Sequence, residues 1–291
     1  MSELLFAVRP RRSALYVPAN KQRAVDKAAD LKADVIILDL EDAVAPEAKG
    51  EARFRAQQAV KSGDFSGKEL VVRVNGLDTA EVAWDMVAAA GADAVLVPKI
   101  DCAEDIRRAE AGIAAIVTGK GPALWAMIET PKAILNLASI AAEAERPDSR
   151  LTCFVLGTND LAKDTRIQPT ASRLAMLPWM SQTVLAARAY GLTVLDGVFN
   201  GLKDPEGLAA ECRQGRGLGF DGKTLIHPDQ IEAANQIFAP SEAEMVEAKA
   251  IVAAFARPEN AGKGVISING RMTELLHLSM ARRTLAFAEK I

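Results

Sequence analysis

Eight times between residues 13 and 227 a short apolar run is followed by a longer stretch rich in alanine, glutamate and lysine. The runs fall at 14–18, 34–39, 70–75, 94–98, 124–128, 152–156, 193–197 and 223–227. Near-continuous apolar strands of this length belong to a parallel sheet whose faces are covered by helices. The intervening stretches, for example 20–31, 46–61 and 79–90, suit the helical crossovers that parallel strands require. Eight such units predict an α/β fold closed into a TIM-type (β/α)8 barrel. An open doubly wound sheet is the runner-up, but no Gly-x-Gly-x-x-Gly follows the first strand.

Turn chemistry agrees with this count. Gly91, Gly191 and the Gly219-Phe-Asp-Gly222 stretch stand between a helical stretch and the next strand, where C-cap glycines belong. Pro131, just after Glu129, suits the first turn of a helix. The barrel is expected over residues 11–240. A C-terminal extension over 241–291 lies outside the count. It reads as a helix at 241–256 with an acidic first turn, a turn-rich break at 257–264, a short strand at 265–269 and a final helix at 272–290. Such a tail suits a cap over the chain's own site or an arm onto a neighbouring subunit.

Bulk properties narrow the class. The 291 residues are 49% apolar, ample for a full core. A formal net charge of -3 gives no reason to expect nucleic acid or membrane as a partner. The three cysteines, Cys102, Cys153 and Cys212, are far apart, with no CxxC. This argues against a disulfide framework or a structural zinc site and fits a reducing cytoplasm. Residues 1–12 lack the apolar core of a signal peptide, and no apolar run approaches the ~18–20 residues of a membrane span. A soluble cytoplasmic protein is expected.

In a barrel, polar residues at the C-terminal strand ends read as catalytic. Strand two ends in Asp39, Glu41 and Asp42, and strand three in Arg73 and Asn75. Lys99 follows strand four, Glu129 strand five, Asn159 and Asp160 strand six, Asp196 strand seven and His227 strand eight. This density at one end points to an enzyme. Within 123–161 the pattern is strand, helix, strand, so Glu129 and Asp160 are delivered side by side. They suit either a hard-oxygen Mg²⁺ site or the capping of the helices that follow. Arg73, set among valines, suits an ion pair with Asp39 or Glu41, or a fork gripping a substrate carboxylate or enolate oxygen. Lys99 allows a similar role or a salt bridge. His227, before Pro228 at a helix start, suits core packing or capping, with chemistry as the alternative, and His277 reads as a mid-helix residue facing solvent or an interface. Lys21 and Arg23 follow strand one among further basic residues, Arg9, Arg11, Arg12 and Lys27. They suit a solvated helix face or, beside a metal, a phosphorylated ligand.

Six segments then stand in a recognisable order: Arg12-Ser-Ala-Leu-Tyr-Val-Pro18, Leu38-Asp-Leu-Glu-Asp-Ala-Val44, Val72-Arg-Val-Asn75, Val97-Pro-Lys99, Ile128-Glu-Thr130 and Gly157-Thr-Asn-Asp160. Together they resemble the citrate lyase β-subunit-like CoA-ester lyases, in the group that also holds HpcH/HpaI-type aldolases. The resemblance covers roughly residues 11–290. It implies a TIM barrel, a Mg²⁺ ion with Mn²⁺ as an alternative, and a CoA thioester as substrate. It further implies cleavage or formation of a C–C bond in a malyl-CoA-type 3-hydroxyacyl-CoA, giving acetyl-CoA or propionyl-CoA and a 2-oxo acid such as glyoxylate. Residue by residue, it makes Glu129 and Asp160 the metal ligands and Arg73 the group that binds the oxo acid or its enolate. Glu41 and Asp42 become catalytic, and Asp39, Gly157 and Asn159 line the substrate. Arg12, Lys21 and Arg23 become candidates for the CoA phosphates. A homotrimer or hexamer is implied as well.

Where HpcH-type aldolases have histidine in a D-x-E-H motif, this chain has Asp42, which leans to the CoA branch. In the lyases the acid/base is implied to be an aspartate following Gly-x-Met-x, in a C-terminal segment that reaches a neighbour's site. Here Gly270-Arg-Met-Thr is followed by Glu274, which suits that catalytic place, one methylene longer, or is an ordinary carboxylate of a helix first turn. Residues 269–277, 157–163 and 219–228 are similar to the malyl-CoA thioesterase branch. The expectation is therefore a lyase first, a (3S)-malyl-CoA thioesterase second, and a non-catalytic or complex-bound citrate lyase β-type subunit third.

Overall fold

The computed structural model describes residues 9–117, 119 and 121–291. Two compact units divide the described residues, one within 11–238 and the other of 9–10 with 239–291. The first is a closed parallel barrel, as predicted. Its strands are β1 (Ser13–Pro18), β2 (Val35–Asp39), β3 (Glu69–Arg73), β4 (Ala94–Val97), β5 (Ala123–Ile128), β6 (Leu151–Leu156), β7 (Thr193–Asp196) and β8 (Gly222–Leu225). Each pairs with the next, and β8 closes the ring on β1 through Leu15 and Leu225. The crossover helices are α1 (Gln22–Asp30), α2 (Lys49–Ser62), α3 (Val82–Ala89), α4 (Ala103–Ile116), α5 (Pro131–Leu135), α6 (Leu137–Ala142), α7 (Thr158–Thr165), α8 (Leu177–Ala189), α9 (Pro205–Leu218) and α10 (Ile231–Phe238).

Side chains alternate along each strand, so the pleat sorts them into two shells. Leu15, Val17, Ile36, Leu38, Val72, Phe154 and Val194 face the helices and form the larger core. Ala14, Val35, Ile37, Val71, Leu96, Trp125, Met127, Val155 and Leu195 fill the lumen. This parity decides which strand-end groups reach the site. Asp39 is two residues beyond Ile37, Arg73 two beyond Val71 and Glu129 two beyond Met127, so all three continue the lumen series.

Asp196 follows the lumen residue Leu195 and therefore turns outward. It was expected at the active face, but it is buried against α9, where it receives Arg173 Nη1 at 2.8–2.9 Å and Lys223 Nζ at 3.0 Å. Lys223 also reaches Glu211 Oε2 at 2.9 Å. This neutral cluster clasps the loop that carries Arg173 to the barrel wall. His227 lies beyond the end of β8 and caps a 3₁₀ turn through Nδ1, as its sequence position suggested.

In the second unit, α11 (Glu242–Phe255) opens on a Ser241/Glu244 capping box. Strands β9 (Val265–Ile268) and β10 (Arg271–Glu274) form an antiparallel hairpin ahead of α12 (Leu275–Ala288). The helix expected from residue 272 thus begins later. Asn269 and Gly270 take positive φ of 50° and 77° and make a two-residue turn, which pairs 271–274 back onto β9. His277 is correspondingly in the first turn of α12 rather than mid-helix, and its Nδ1 accepts the Glu274 N–H at 2.9 Å.

Candidate active site

The site is built on the C-terminal ends of β2 to β6. Arg73 is its anchor. Nε donates to Asp39 Oδ1 at 2.8 Å and Nη2 to Asp39 Oδ2 at 2.6 Å, a buried fork-to-fork pair. Nη1 lies 2.8 Å from Glu41 Oε2 and 3.4 Å from Asp42 Oδ2. Burial works against the guanidinium charge, yet Asp39 outweighs it and the pKa is raised well above its ordinary value. Of the sequence alternatives for Arg73, the ion pair forms, with Asp39 and with Glu41.

Asp39 has no capacity left for substrate. Its two oxygens take Arg73 and the N–H groups of Glu41 and Ala43. Its expected substrate contact gives way to a positioning role behind Arg73. Glu41 is buried, with its carboxyl pushed up to about 7, by burial first and against the lowering influence of Arg73. Asp42 is largely exposed at the edge of a cleft of about 560 Å³ that also touches Glu41, Lys49, Asn75 and Lys99.

Glu129 is 1% exposed. It does not cap α5; Thr130 does, accepting the Ala133 N–H at 3.0 Å. Instead Glu129 Oε1 accepts the Lys99 N–H at 2.8 Å. Lys99 presents that N–H from a left-handed backbone, φ 54°, strain of a kind that collects at functional sites. The Lys99 ammonium stands 3.6 Å from Glu41 Oε1. The Glu129 carboxyl is pushed up to about 7 by burial first, then by the charge on Glu41, with Asp160 adding to it. Gly157 makes the room: a Cβ there would stand 2.8 Å from Glu129 Oε2 and would collide with its Cβ. Its own N–H is spent on Ile128 O at 2.9 Å, so the substrate contact expected of Gly157 is replaced by this steric role.

Asp160 sits in the first turn of α7, half-buried, with Lys163 Nζ at 3.5 Å. Among the described residues no cluster of three or more His, Cys, Asp or Glu could hold a metal alone. Two carboxylates, of which Glu129 is buried and has its charged form disfavoured by its neighbours, nevertheless fit Mg²⁺, which usually takes one or two carboxylates and fills its octahedron with water and substrate oxygens. Asn159 pairs reciprocally with Asn200, at 2.9 and 3.3 Å, at the exposed rim.

The three candidates for CoA phosphates divide. Lys21 and Arg23 are exposed beyond the C-terminal end of β1, on the active face. Arg12 precedes β1, at the opposite end of the barrel. Its guanidinium is bidentate to Asp34 at 2.8 Å, and its N–H donates to the same carboxylate at 2.9 Å. It is a structural residue of the barrel floor, not a phosphate ligand.

Two groups escaped the sequence reading. Lys49 opens α2 and donates to Leu40 O and Glu41 O at 2.7 Å and to Asn75 Oδ1 at 2.8 Å. It pins the loop that carries Glu41. Buried Asp85 in turn accepts Asn75 N at 2.9 Å and Asn75 Nδ2 at 2.6 Å. Tyr16 stands inside the barrel, with the Arg73 guanidinium carbon 4.8 Å from its ring centroid. A lysine in a charged helix and a tyrosine in an apolar strand carry little signal of this kind.

Residues 12–228 match the family described as HpcH/HpaI aldolase/citrate lyase. A (3S)-malyl-CoA thioesterase of Cereibacter sphaeroides is 48% identical over 284 residues, covering 97% of this chain and 96% of that protein. An L-malyl-CoA/β-methylmalyl-CoA lyase of the same organism is 34% identical over 311 residues, with the same shares covered. Among solved structures, CitE of Mycobacterium tuberculosis in complex with magnesium, acetoacetate and coenzyme A superposes with a TM-score of 0.77 at 29% identity, covering 97% of this chain and 99% of that one.

Proposed function

Since this chain belongs to the HpcH/HpaI aldolase/citrate lyase family, we propose that it is a Mg²⁺-dependent thioesterase acting on (3S)-malyl-CoA or a close relative. The observation that carries this reading is the 48% identity, sustained over essentially the whole length, to a (3S)-malyl-CoA thioesterase. The sequence alone ranks the lyase first; the likeness to a lyase, at 34%, supports it now as the second reading.

Glu129 and Asp160 would hold the ion, which when bound supplies Lewis-acid charge to the substrate's oxygens. Arg73, fixed by Asp39, would hold its positive charge beside an oxygen that gains negative charge in the transition state. Lys21 and Arg23 would meet the CoA phosphates. Glu274 is the proposed base that takes a proton from the attacking water. The water oxygen bonds to the thioester carbonyl carbon, the C–S bond breaks, the acid is released and the thiolate leaves as CoA thiol by taking up the proton from Glu274. Glu274 would act from a neighbouring subunit of a homotrimer or hexamer. Support for that base is its place after Gly270-Arg-Met-Thr, one methylene longer than the aspartate of the lyase pattern.

The test is to incubate purified protein with (3S)-malyl-CoA and Mg²⁺ and follow free thiol, acetyl-CoA and glyoxylate separately. Thiol release without glyoxylate supports the hydrolase. Acetyl-CoA with glyoxylate establishes the lyase, and no turnover refutes both.

A further inference from the structure

The first turn of α7, which carries Asp160, is set from outside the helix. Its N-cap is Gly157, which has no side chain to hold the turn. The Asp160 carboxylate meets Lys163 Nζ at 3.5 Å, longer than a good hydrogen bond, so its place follows the backbone beneath it. The loop after β7, residues 197–200, touches the two residues that precede Asp160. Gly197 packs directly on Thr158: an added Cβ would stand 2.5 Å from Thr158 Oγ1, 2.9 Å from Thr158 Cγ2 and 2.8 Å from Leu156 O. Asn200 exchanges two hydrogen bonds with Asn159, at 2.9 and 3.3 Å.

The loop is itself clamped. Fully buried Lys223 donates through Nζ to Gly197 O at 2.5 Å, and Asp196 Oδ1 accepts the Gly197 N–H at 2.8 Å. Buried Gln230 donates through Nε2 to Phe199 O at 3.0 Å. A buried ammonium is costly unless paired, and Asp196 and Glu211 pair this one at 3.0 and 2.9 Å. Asp196 turns away from the lumen, so the cluster acts through what it holds: the loop that faces α7.

We propose that residues 197–200 are a template that seats Asp160, with Gly197 and Asn200 as positioning residues for the divalent-cation site and Lys223 as the anchor behind them. Groups behind a metal's ligands fix their aim, and losing one weakens binding by about 10- to 100-fold. The proposal rests on the reading that Glu129 and Asp160 take the cation, and it extends that site to β7.

Mn²⁺ titrations of the metal-free, full-length protein, read by loss of the free-ion EPR signal, test it without turnover. Asn200→Ala alters only the exposed rim, so it should melt close to the parent. It should bind Mn²⁺ at least ~3-fold more weakly, near the low end of what one neutral hydrogen bond contributes. Gly197→Ala forces Thr158 away and should weaken Mn²⁺ at least ~10-fold; should it fail to fold, Asn200→Ala decides. Asn159→Ala should lose the same factor as Asn200→Ala, and the double variant no more, because the two amides act through each other. Parent-like Mn²⁺ affinity in either folded variant would overturn the proposal, and a lower melting temperature beside it would leave the loop a purely structural clamp. Losses that multiply in the double variant would overturn it too. Asp160→Asn tests the underlying reading separately and should abolish tight binding. If it binds Mn²⁺ as tightly as the parent, or the parent binds none, the cation site itself is refuted and the template falls with it.

Discussion

Gly157→Ala isolates the geometry of Glu129 without touching its chemistry. Gly157 has φ of -95°, which alanine tolerates, so the substitution acts through space and not through backbone strain. The new methyl would stand 2.8 Å from Glu129 Oε2 and 3.4 Å from Glu129 Cα. It would also collide with Glu129 Cβ, so restoring ordinary contacts of ~3.5 Å requires the whole Glu129 side chain, Cβ included, to retreat by at least about 0.7 Å. That retreat loosens the 2.8 Å bond from the Lys99 N–H. A misplacement near 1 Å at a catalytic centre costs about 10²-fold, so kcat/KM should fall by about 10- to 100-fold and the Mg²⁺ requirement should rise. Overpacking of this kind costs about 1–3 kcal/mol in stability, visible as several degrees in a thermal scan. Gly50→Ala is the control: nothing lies within 4 Å of its added Cβ, and it should retain full activity. Normal Mg²⁺-dependent turnover in Gly157→Ala would refute the claim that Gly157 exists to seat Glu129.

Four further outcomes are expected. Because the Glu129 carboxyl is pushed up to about 7, protons compete with Mg²⁺; apparent Mg²⁺ affinity should drop as pH falls from 8 to 6 and level off above 8. In the metal-free protein the raised value means the native state binds more protons than the unfolded chain between about 4.5 and 7, so stability should decline as pH rises through that window, and Mg²⁺ should restore it; pH-independent Mg²⁺ titrations would contradict this. Arg73→Lys should lower kcat by at least ~10²-fold, since one ammonium cannot both grip Asp39 and reach the substrate; an unchanged rate would leave Arg73 a purely structural ion pair. Mixing inactive Glu274→Ala with inactive Asp160→Ala subunits should restore part of the activity if Glu274 serves a neighbour, whereas no recovery after verified subunit exchange would place it elsewhere.

The barrel was legible because eight apolar runs at regular spacing have few other solutions, and strand ends locate an active face before any side chain is placed. The pleat was legible too: Asp39, Arg73 and Glu129 share the parity of Ile37, Val71 and Met127, whereas Asp196 does not share that of Leu195. Treating every strand-end group alike therefore drew Asp196 into the site. Arg12 was misassigned for a related reason. A motif that spans a whole strand touches both ends of the barrel, and Arg12 stands at the end that binds Asp34. The first strand of the hairpin forms where a strand was expected, at Val265–Ile268; the second was missed although Asn269-Gly270 suits the positive φ of a tight turn, because Arg271–Glu274 is too short and polar to show periodicity. Lys49 and Tyr16 were invisible because their roles depend on partners distant in sequence: Asn75 for one, Arg73 for the other.

The claim on which the rest depends is that β5 and β6 bring Glu129 and Asp160 together as a divalent-cation site. Crystals of the protein grown with Mn²⁺ and measured at the manganese edge test it directly. The expected result is one strong anomalous peak between the two carboxylates, lost in Glu129→Gln. Bound manganese elsewhere, with none at these carboxylates, would contradict it.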